Sequence, residues 1–320
     1  MSAPNNDYNV QETASDAAAC KLSASRLGYW DDPFAAMFAS HHRKMPIINR
    51  GYYARVRSIE LLVERFLAAT ANEGQVLVLG AGQDTLYYRL QKRQPALLAG
   101  ATYVEMDFPL VTRAKVRLCR RHKAVAEIIG PVETNEIELK ADGYALAACD
   151  LRDLPTFQAK CTWAGLDPSR PTLVLSECVL CYMEPQHSQP LLDWIGATFV
   201  DAAVVIYEQI RPHDAFGQTM VENIRLRGCD LKSVHAFPEP SDQCKRLTAS
   251  GFTHVECWDM NRVYYDFLPL DERKHKERLE LFDELEEYHM LQGHYCLVVA
   301  AKSASVAAAL ALHRPEAASE

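Results

Sequence analysis

The 320-residue chain lacks most of the features that place a protein quickly. No apolar stretch approaches the roughly 18 residues needed to cross a bilayer. The longest candidate, Ala307 to Leu312, is far too short, so no membrane association is expected. Positive charge is not in excess, and a net charge of −8 has the wrong sign for a broad nucleic-acid-binding face. No apolar N-terminal signal precedes the ten cysteines and their spacing forms no framework, which predicts reduced thiols in the cytoplasm or the nucleus. Cys178 and Cys181 form a Cys-x-x-Cys without the second pair that structural zinc needs, and are expected to be two packed thiols at a strand end. His41, His42, His187, His235, His254 and His294 show no ligand spacing, so no metal site is expected. Ser176 lacks the flanking glycines of a nucleophile elbow, and no internal repeat is visible.

What is present is an ordinary globular balance, 48% hydrophobic and 24% charged, enough for one sizeable core or two small ones. Residues 1–12 are polar and expected to be mobile. Residues 13–70 read as helical. Asp16 precedes Ala17-Ala18-Ala19, and Asp31-Asp32-Pro33 is a cap followed by a first-turn proline. Val56, Ile59, Val63, Phe66 and Leu67 recur at helical spacing. Over 71–302, strands are predicted at 76–79, 101–106, near 144–150, 172–176 and 203–207, with helices near 84–92, 110–122, 186–199 and 213–226. Two later runs, 252–258 and 295–301, follow helices near 241–250 and 271–290, the last with Leu279, Phe282 and Leu285 on one side. Continuous apolar strands alternating with helices predict an α/β fold around a buried parallel sheet. The Ala-rich stretch 303–320 is expected to be a loose tail.

Residues 76–84, Val-Leu-Val-Leu-Gly-Ala-Gly-Gln-Asp, break from a strand into a glycine turn, and Tyr103-Val104-Glu105-Met106-Asp107 ends the next strand in acids. Gly80 and Gly82 permit a sharp turn and close approach of a ligand, and the acid can accept hydrogen bonds from both ribose hydroxyls. The third glycine of a dinucleotide fingerprint is missing, its place falling on Thr85. A pyrophosphate needs the close helix approach that glycine allows, so the turn suits an adenosine ligand without phosphate. Asp84 repels phosphate but accepts from an ammonium group. S-adenosylmethionine meets these conditions. Other strands end in polar residues too: Asp150 with Leu151, an acceptor for the adenine amino group beside an apolar surface for the ring, then Glu177 and Glu208. So acidic a mouth needs cations. Lys21 and Arg55 lie in the helical segment that is free to fold over the sheet as a lid, and Arg55 carries the planar fork that grips a carboxylate bidentately.

Across roughly residues 16–302 these segments resemble the leucine carboxyl methyltransferases, eukaryotic enzymes that methylate the C-terminal leucine of the protein phosphatase 2A catalytic subunit. The matching stretches run from Asp16 to Phe34 around Cys20-Lys21, then Ile48-Asn49-Arg50-Gly51-Tyr52-Tyr53-Ala54-Arg55-Val56, Leu79-Gly80-Ala81-Gly82 and Asp107-Phe108-Pro109. Asp150-Leu151-Arg152-Asp153-Leu154 and Glu177-Cys178-Val179-Leu180 with Tyr182-Met183 are more telling than the glycine turn. Tyr207-Glu208-Gln209, Phe216-Gly217-Gln218, Cys229-Asp230-Leu231 and His294-Tyr295-Cys296-Leu297 complete the set. Cys181 and Gln83 depart from it, standing where a small aliphatic and an apolar residue belong. The resemblance implies a Rossmann-like S-adenosylmethionine-dependent methyltransferase: a seven-stranded, mostly parallel sheet with its last strand antiparallel, helices on both faces and an N-terminal helical lid. It implies Lys21 and Arg55 at the cofactor's carboxylate, Gly80 at its amino acid portion, Asp107 at the ribose, Asp150 and Leu151 at the adenine, and Glu177 near the amino end, with Gly82 of the turn also among the cofactor-binding residues. Tyr182, with Arg55, is expected at the reacting carboxylate.

The expected activity is methyl esterification of the α-carboxylate of that terminal leucine. The phosphatase is the expected partner, through its tail and the region of its active site, and the insertion at 211–240 offers a surface for it. Two alternatives stand: a small-molecule carboxyl or hydroxyl methyltransferase on the same fold, and a non-catalytic cofactor-binding protein.

Overall fold

The computed structural model describes residues 6–313. Its nine strands are β1 Gln75–Leu79, β2 Thr102–Asp107, β3 Val132–Thr134, β4 Leu139–Ala141, β5 Tyr144–Ala148, β6 Thr172–Glu177, β7 Ala202–Gln209, β8 His254–Asp259 and β9 Tyr295–Ala301. They form one sheet in the order β3-β4-β5-β2-β1-β6-β7-β9-β8. The run from β5 to β7 is parallel, and β9 lies antiparallel between β7 and β8. Seven strands therefore match the expectation, and the hairpin β3–β4 adds two at the edge beside β5. That hairpin carries no apolar run to signal it. β3 is wholly exposed and only Leu139 of β4 is buried. Its turn is set instead by Asn135, whose Oδ1 accepts from the backbone N–H groups of Ile137 and Glu138 at 2.8 and 2.7 Å.

The continuous apolar strands are buried on both faces because helices cover both sides. Alternate side chains divide between two cores. Val76, Val78, Leu173, Leu175 and Val205 pack with Ile59, Val63 and Phe66 of the helix Pro46–Ala69. Leu77, Leu79, Val104, Val174 and Ile206 pack with Leu191, Leu192 and Ile195 of the helix Pro185–Thr198. Burying side chains of this size contributes on the order of 2 kcal/mol each. The chain runs outward from β1 through β2, then crosses back to place β6 on the other side of β1. That reversal opens a crevice at the carboxyl ends of β1 and β6, where α/β folds bind ligands.

Three expectations about the helices need correction. Residues 6–12, expected to be mobile, belong to the helix Asn6–Arg26. Tertiary contacts order this polar stretch: Arg152 Nη1 and Nη2 donate to Asp7 at 2.9 and 2.7 Å, and Asn9 Nδ2 donates to the Gly228 carbonyl at 3.1 Å. Residues 1–5 lie outside the described residues. The expected loose tail contains the helix Ala304–Leu310, capped by Ser303, with Val306 and Leu310 buried; 314–320 again lie outside. The expected helix at 271–290 is two, Leu270–Lys276 and Leu285–Gly293. Residues 277–284 leave the helix because outside partners claim them. Arg50 donates to the Glu277 carbonyl, and Glu280 accepts from Asn49 and Tyr29. Leu279 and Phe282 still pack on the core, while Leu285 is exposed. Among the described residues no helix is long and apolar enough to cross a membrane.

Candidate active site

A cavity of about 360 Å³ opens at the crevice, and Lys21, Arg55, Gly80, Gly82, Asp107 and Glu177 all border it. So do Asp150, Leu151 and Tyr182, so the nine residues assigned from the sequence to the methyl donor or the acceptor border one surface.

The floor is the turn after β1. Gly80 has φ +64° and Gly82 φ +52°, in the left-handed region that disfavours side chains. A Cβ at Gly80 would lie 2.5 Å from Val179 Cγ2, and one at Gly82 would lie 3.2 Å from the Ala14 side chain of the covering helix. The glycines are thus required by conformation and by close packing together. Asp107 ends β2, in line with this turn. Its Oδ2 accepts from Gly82 N and its Oδ1 from Phe108 N, both at 2.7 Å. Burial pushes its carboxyl up to about 6, although both N–H groups pull the other way. Each oxygen retains acceptor capacity towards the cavity.

Beyond β5, Asp150 is held by a fork from Arg152, whose Nη2 donates to Oδ2 at 2.6 Å and Nε to Oδ1 at 2.9 Å. Partial burial opposes its charge, and the Arg152 hydrogen bonds outweigh that to hold its carboxyl below the usual range. The same guanidinium carries the Asp7 contact, so the covering helix is tied to the β5 side of the pocket. Leu151, 7% exposed, supplies an apolar wall there.

The centre is a chain of four charges. Lys21 Nζ donates to Asp84 Oδ2 and lies 2.9 Å from Glu177 Oε1, which also accepts from Arg55 Nε. Burial works against each charge, but the partners prevail. Glu177 is held below the usual carboxylate range by Arg55 and Lys21, and Lys21 is held above the usual lysine range by Asp84 and Glu177. The set is electrically neutral, so a zwitterion can insert without leaving a net buried charge. Arg55 is further fixed over the rings of Tyr207 and Tyr52, at 4.7 and 5.2 Å.

Tyr182 ends the short turn Leu180–Tyr182 after β6. Glu208 Oε1 accepts from Cys181 N at 2.8 Å, and Ser233 Oγ donates to the Leu180 carbonyl at 3.0 Å, which fixes the turn. The Tyr182 hydroxyl has no hydrogen-bond partner among the described residues. Cys178 starts this segment at φ +55°, a strained conformation for a residue with a side chain.

Two acids expected at the mouth are not there. Glu105 is 1% exposed and paired with Lys115 Nζ at 2.7 Å and Tyr144 Oη at 2.8 Å. Glu208, also 1% exposed, points beneath the Tyr182 turn towards Arg246, 3.9 Å away. Strand alternation aims Glu208 to the face opposite Gln209; Glu105 shares the face of Asp107 but lies one pleat deeper, beneath Lys115, whose Nζ also donates to the Asp84 carbonyl at 2.8 Å. Sequence reasoning in turn missed Gln209, Tyr52 and Tyr295, and the first two turns of the covering helix, all of which border the cavity. Gln209 alone had a usable signal, as the last residue of a strand aimed at the crevice.

A profile of the family described as leucine carboxyl methyltransferase matches residues 9–196. The chain is 38% identical to the leucine carboxyl methyltransferase 1 homolog of Arabidopsis thaliana, over 92% of this chain and 90% of that one. It is 37% identical to the tRNA wybutosine-synthesizing protein 4 of Homo sapiens, over 96% of this chain but only 46% of that longer protein. A duf574 family protein from Streptomyces avermitilis, 14% identical, shares the fold with a TM-score of 0.55 over 89% of this chain and 97% of that one. The chain belongs to the leucine carboxyl methyltransferase family.

Proposed function

We propose that the protein transfers a methyl group from S-adenosylmethionine to the α-carboxylate of a C-terminal leucine, and that the protein phosphatase 2A catalytic subunit presents that leucine. The observation that carries this reading is the neutral chain Arg55–Glu177–Lys21–Asp84 facing the cavity. The methionine end of the methyl donor is a zwitterion: its carboxylate fits Lys21 and Arg55, its ammonium Glu177 and Asp84. Asp107 suits the ribose hydroxyls, and Asp150 with Leu151 suits the adenine. When bound, the donor supplies a methyl group on a positively charged sulfur.

The protein's own part is alignment. A carboxylate is already ionised at neutral pH, so no general base is needed. Tyr182 and Arg55 are assigned to hold one acceptor oxygen in line, at near-attack distance. The Tyr52, Tyr182 and Tyr295 rings keep the acceptor side of the cavity weakly polar. Opposite charges cancel as the methyl moves, and such surroundings favour that over separated ions in water.

Incubation with labelled S-adenosylmethionine and the phosphatase catalytic subunit, with and without its terminal leucine, tests the reading. Label is expected only on the intact subunit. A second reading has the similarity to the tRNA wybutosine-synthesizing protein behind it, namely an acceptor attached to tRNA. The net charge of −8 and the acids at the mouth oppose it, and tRNA as a third acceptor in the same assay decides between them.

A further inference from the structure

Gln209 closes β7, and its register partner on β9 is Tyr295. It is 4% exposed and borders the cavity. Its Oε1 is buried and accepts no hydrogen bond among the described residues, while its Nε2 lies 3.9 Å from Cys178 Sγ and its amide also meets the Tyr295 hydroxyl as a donor. A buried amide oxygen without a donor is unfavourable. One that faces a cavity is set to receive a donor that arrives with a ligand.

The sheet order narrows which ligand. Asp150 follows β5, Asp107 ends β2, the glycine turn follows β1 and Glu177 ends β6, so the groups assigned to the methyl donor span β5 to β6. Gln209 is one strand further on, beside Tyr182, Tyr295 and Cys178, on the acceptor side. The methyl donor's own hydrogen-bond donors already have acceptors: the ribose hydroxyls Asp107, the adenine amino group Asp150, the ammonium Glu177 and Asp84. An ionised acceptor carboxylate brings no hydrogen. The nearest donor it can bring is on the nitrogen of its α-carbon. In a free amino acid that nitrogen is a charged ammonium, which the Arg55 guanidinium repels. In a peptide it is one neutral amide N–H, matching one neutral acceptor in a dry site.

We propose that Gln209 Oε1 accepts the last main-chain N–H of the acceptor tail, so that the site reads a peptide C-terminus and not carboxylates in general. This rests on the acceptor proposed above. The test uses two semisynthetic phosphatase catalytic subunits that differ only in the last linkage, an amide in one and an ester in the other, the latter ending in the 2-hydroxy analogue of leucine. The wild-type enzyme is expected to methylate the ester-linked tail with kcat/KM about 10-fold lower. Gln209→Leu is expected to methylate both at one reduced rate while keeping its affinity for S-adenosylhomocysteine, a combination that a merely structural role would not produce. Equal wild-type rates on the two tails overturn the inference, and that comparison needs no variant. So does a Gln209→Leu enzyme that still discriminates. Methylation of neither tail by the wild type contradicts the acceptor assignment itself, and the inference with it.

Discussion

Arg55, in the middle of the helix Pro46–Ala69, donates its Nε to Oε1 of Glu177 at the end of β6, 122 positions along the chain. The covering helices and the sheet thus meet through a charge pair at the point where the donor's methionine end is assigned. Removing Arg55 strips Glu177 of its stronger partner and the incoming carboxylate of its fork. Arg55→Ala is expected to lower kcat/KM roughly 100-fold or more and to weaken S-adenosylhomocysteine binding, since unpairing a buried charge costs about 3–5 kcal/mol. Lysine is expected to restore little, because its point charge lacks the fork and the ring contacts. Steady-state kinetics with calorimetric titration check both, and an Arg55→Ala enzyme with normal affinity and rate removes Arg55 from the site.

Asp107 gives a pH dependence with a definite sign. Its carboxyl is raised from 3.8 to about 6, so between those values the folded chain holds a proton that the unfolded chain releases. Its contribution to stability is present below pH 3.8 and is lost as pH rises through about 6. Binding runs the opposite way, because only the carboxylate can accept from both ribose hydroxyls. Affinity for S-adenosylhomocysteine is expected to fall as pH drops below about 6, by up to about tenfold per unit. Asp107→Asn is expected to bind weakly with that slope abolished. Titration calorimetry from pH ~5 to ~8 reads it.

Tyr182 has a hydroxyl without a hydrogen-bond partner among the described residues, on a turn that Glu208 and Ser233 fix independently of it. Tyr182→Phe therefore keeps the turn and loses one neutral hydrogen bond to the acceptor. The expected result is a decline in kcat of about 3-fold to 10-fold with S-adenosylhomocysteine affinity unchanged. A loss of affinity instead would place the hydroxyl on the methyl donor.

Gly80→Ala meets two penalties at once. The left-handed backbone costs roughly 1–2 kcal/mol for a residue with a Cβ, and the new methyl would stand 2.5 Å from Val179, which leads into the Tyr182 turn. Denaturant unfolding is expected to show a loss of about 2–4 kcal/mol, with activity reduced further by displacement of that turn. Wild-type stability and activity in this variant would contradict the turn's assigned geometry.

The sheet was legible because β1, β6 and β7 are built on continuous apolar runs, and buried parallel strands leave little else for such runs to be. Gly80, Gly82, Asp107, Asp150 and Glu177 were legible because strand ends converge by topology, whatever the helices do. Glu105 and Glu208 were misplaced because strand position fixes the end of the sheet a residue reaches, whereas side-chain direction is fixed by pleat and partner. The break at 277–284 left no local trace: its carbonyl and carboxylate are claimed by Arg50 and Asn49, more than 220 positions away. Gln209 and the first turns of the helix Asn6–Arg26 gain their places only when the cavity is closed around them.

Mass spectrometry of the phosphatase catalytic subunit after incubation with this protein and S-adenosylmethionine tests the central claim most directly. The expected result is one added methyl group on the terminal leucine carboxylate, removed by mild alkali as an ester is, and lost with Arg55→Ala. A methyl group elsewhere on the subunit, one that resists alkali, or none at all would contradict it.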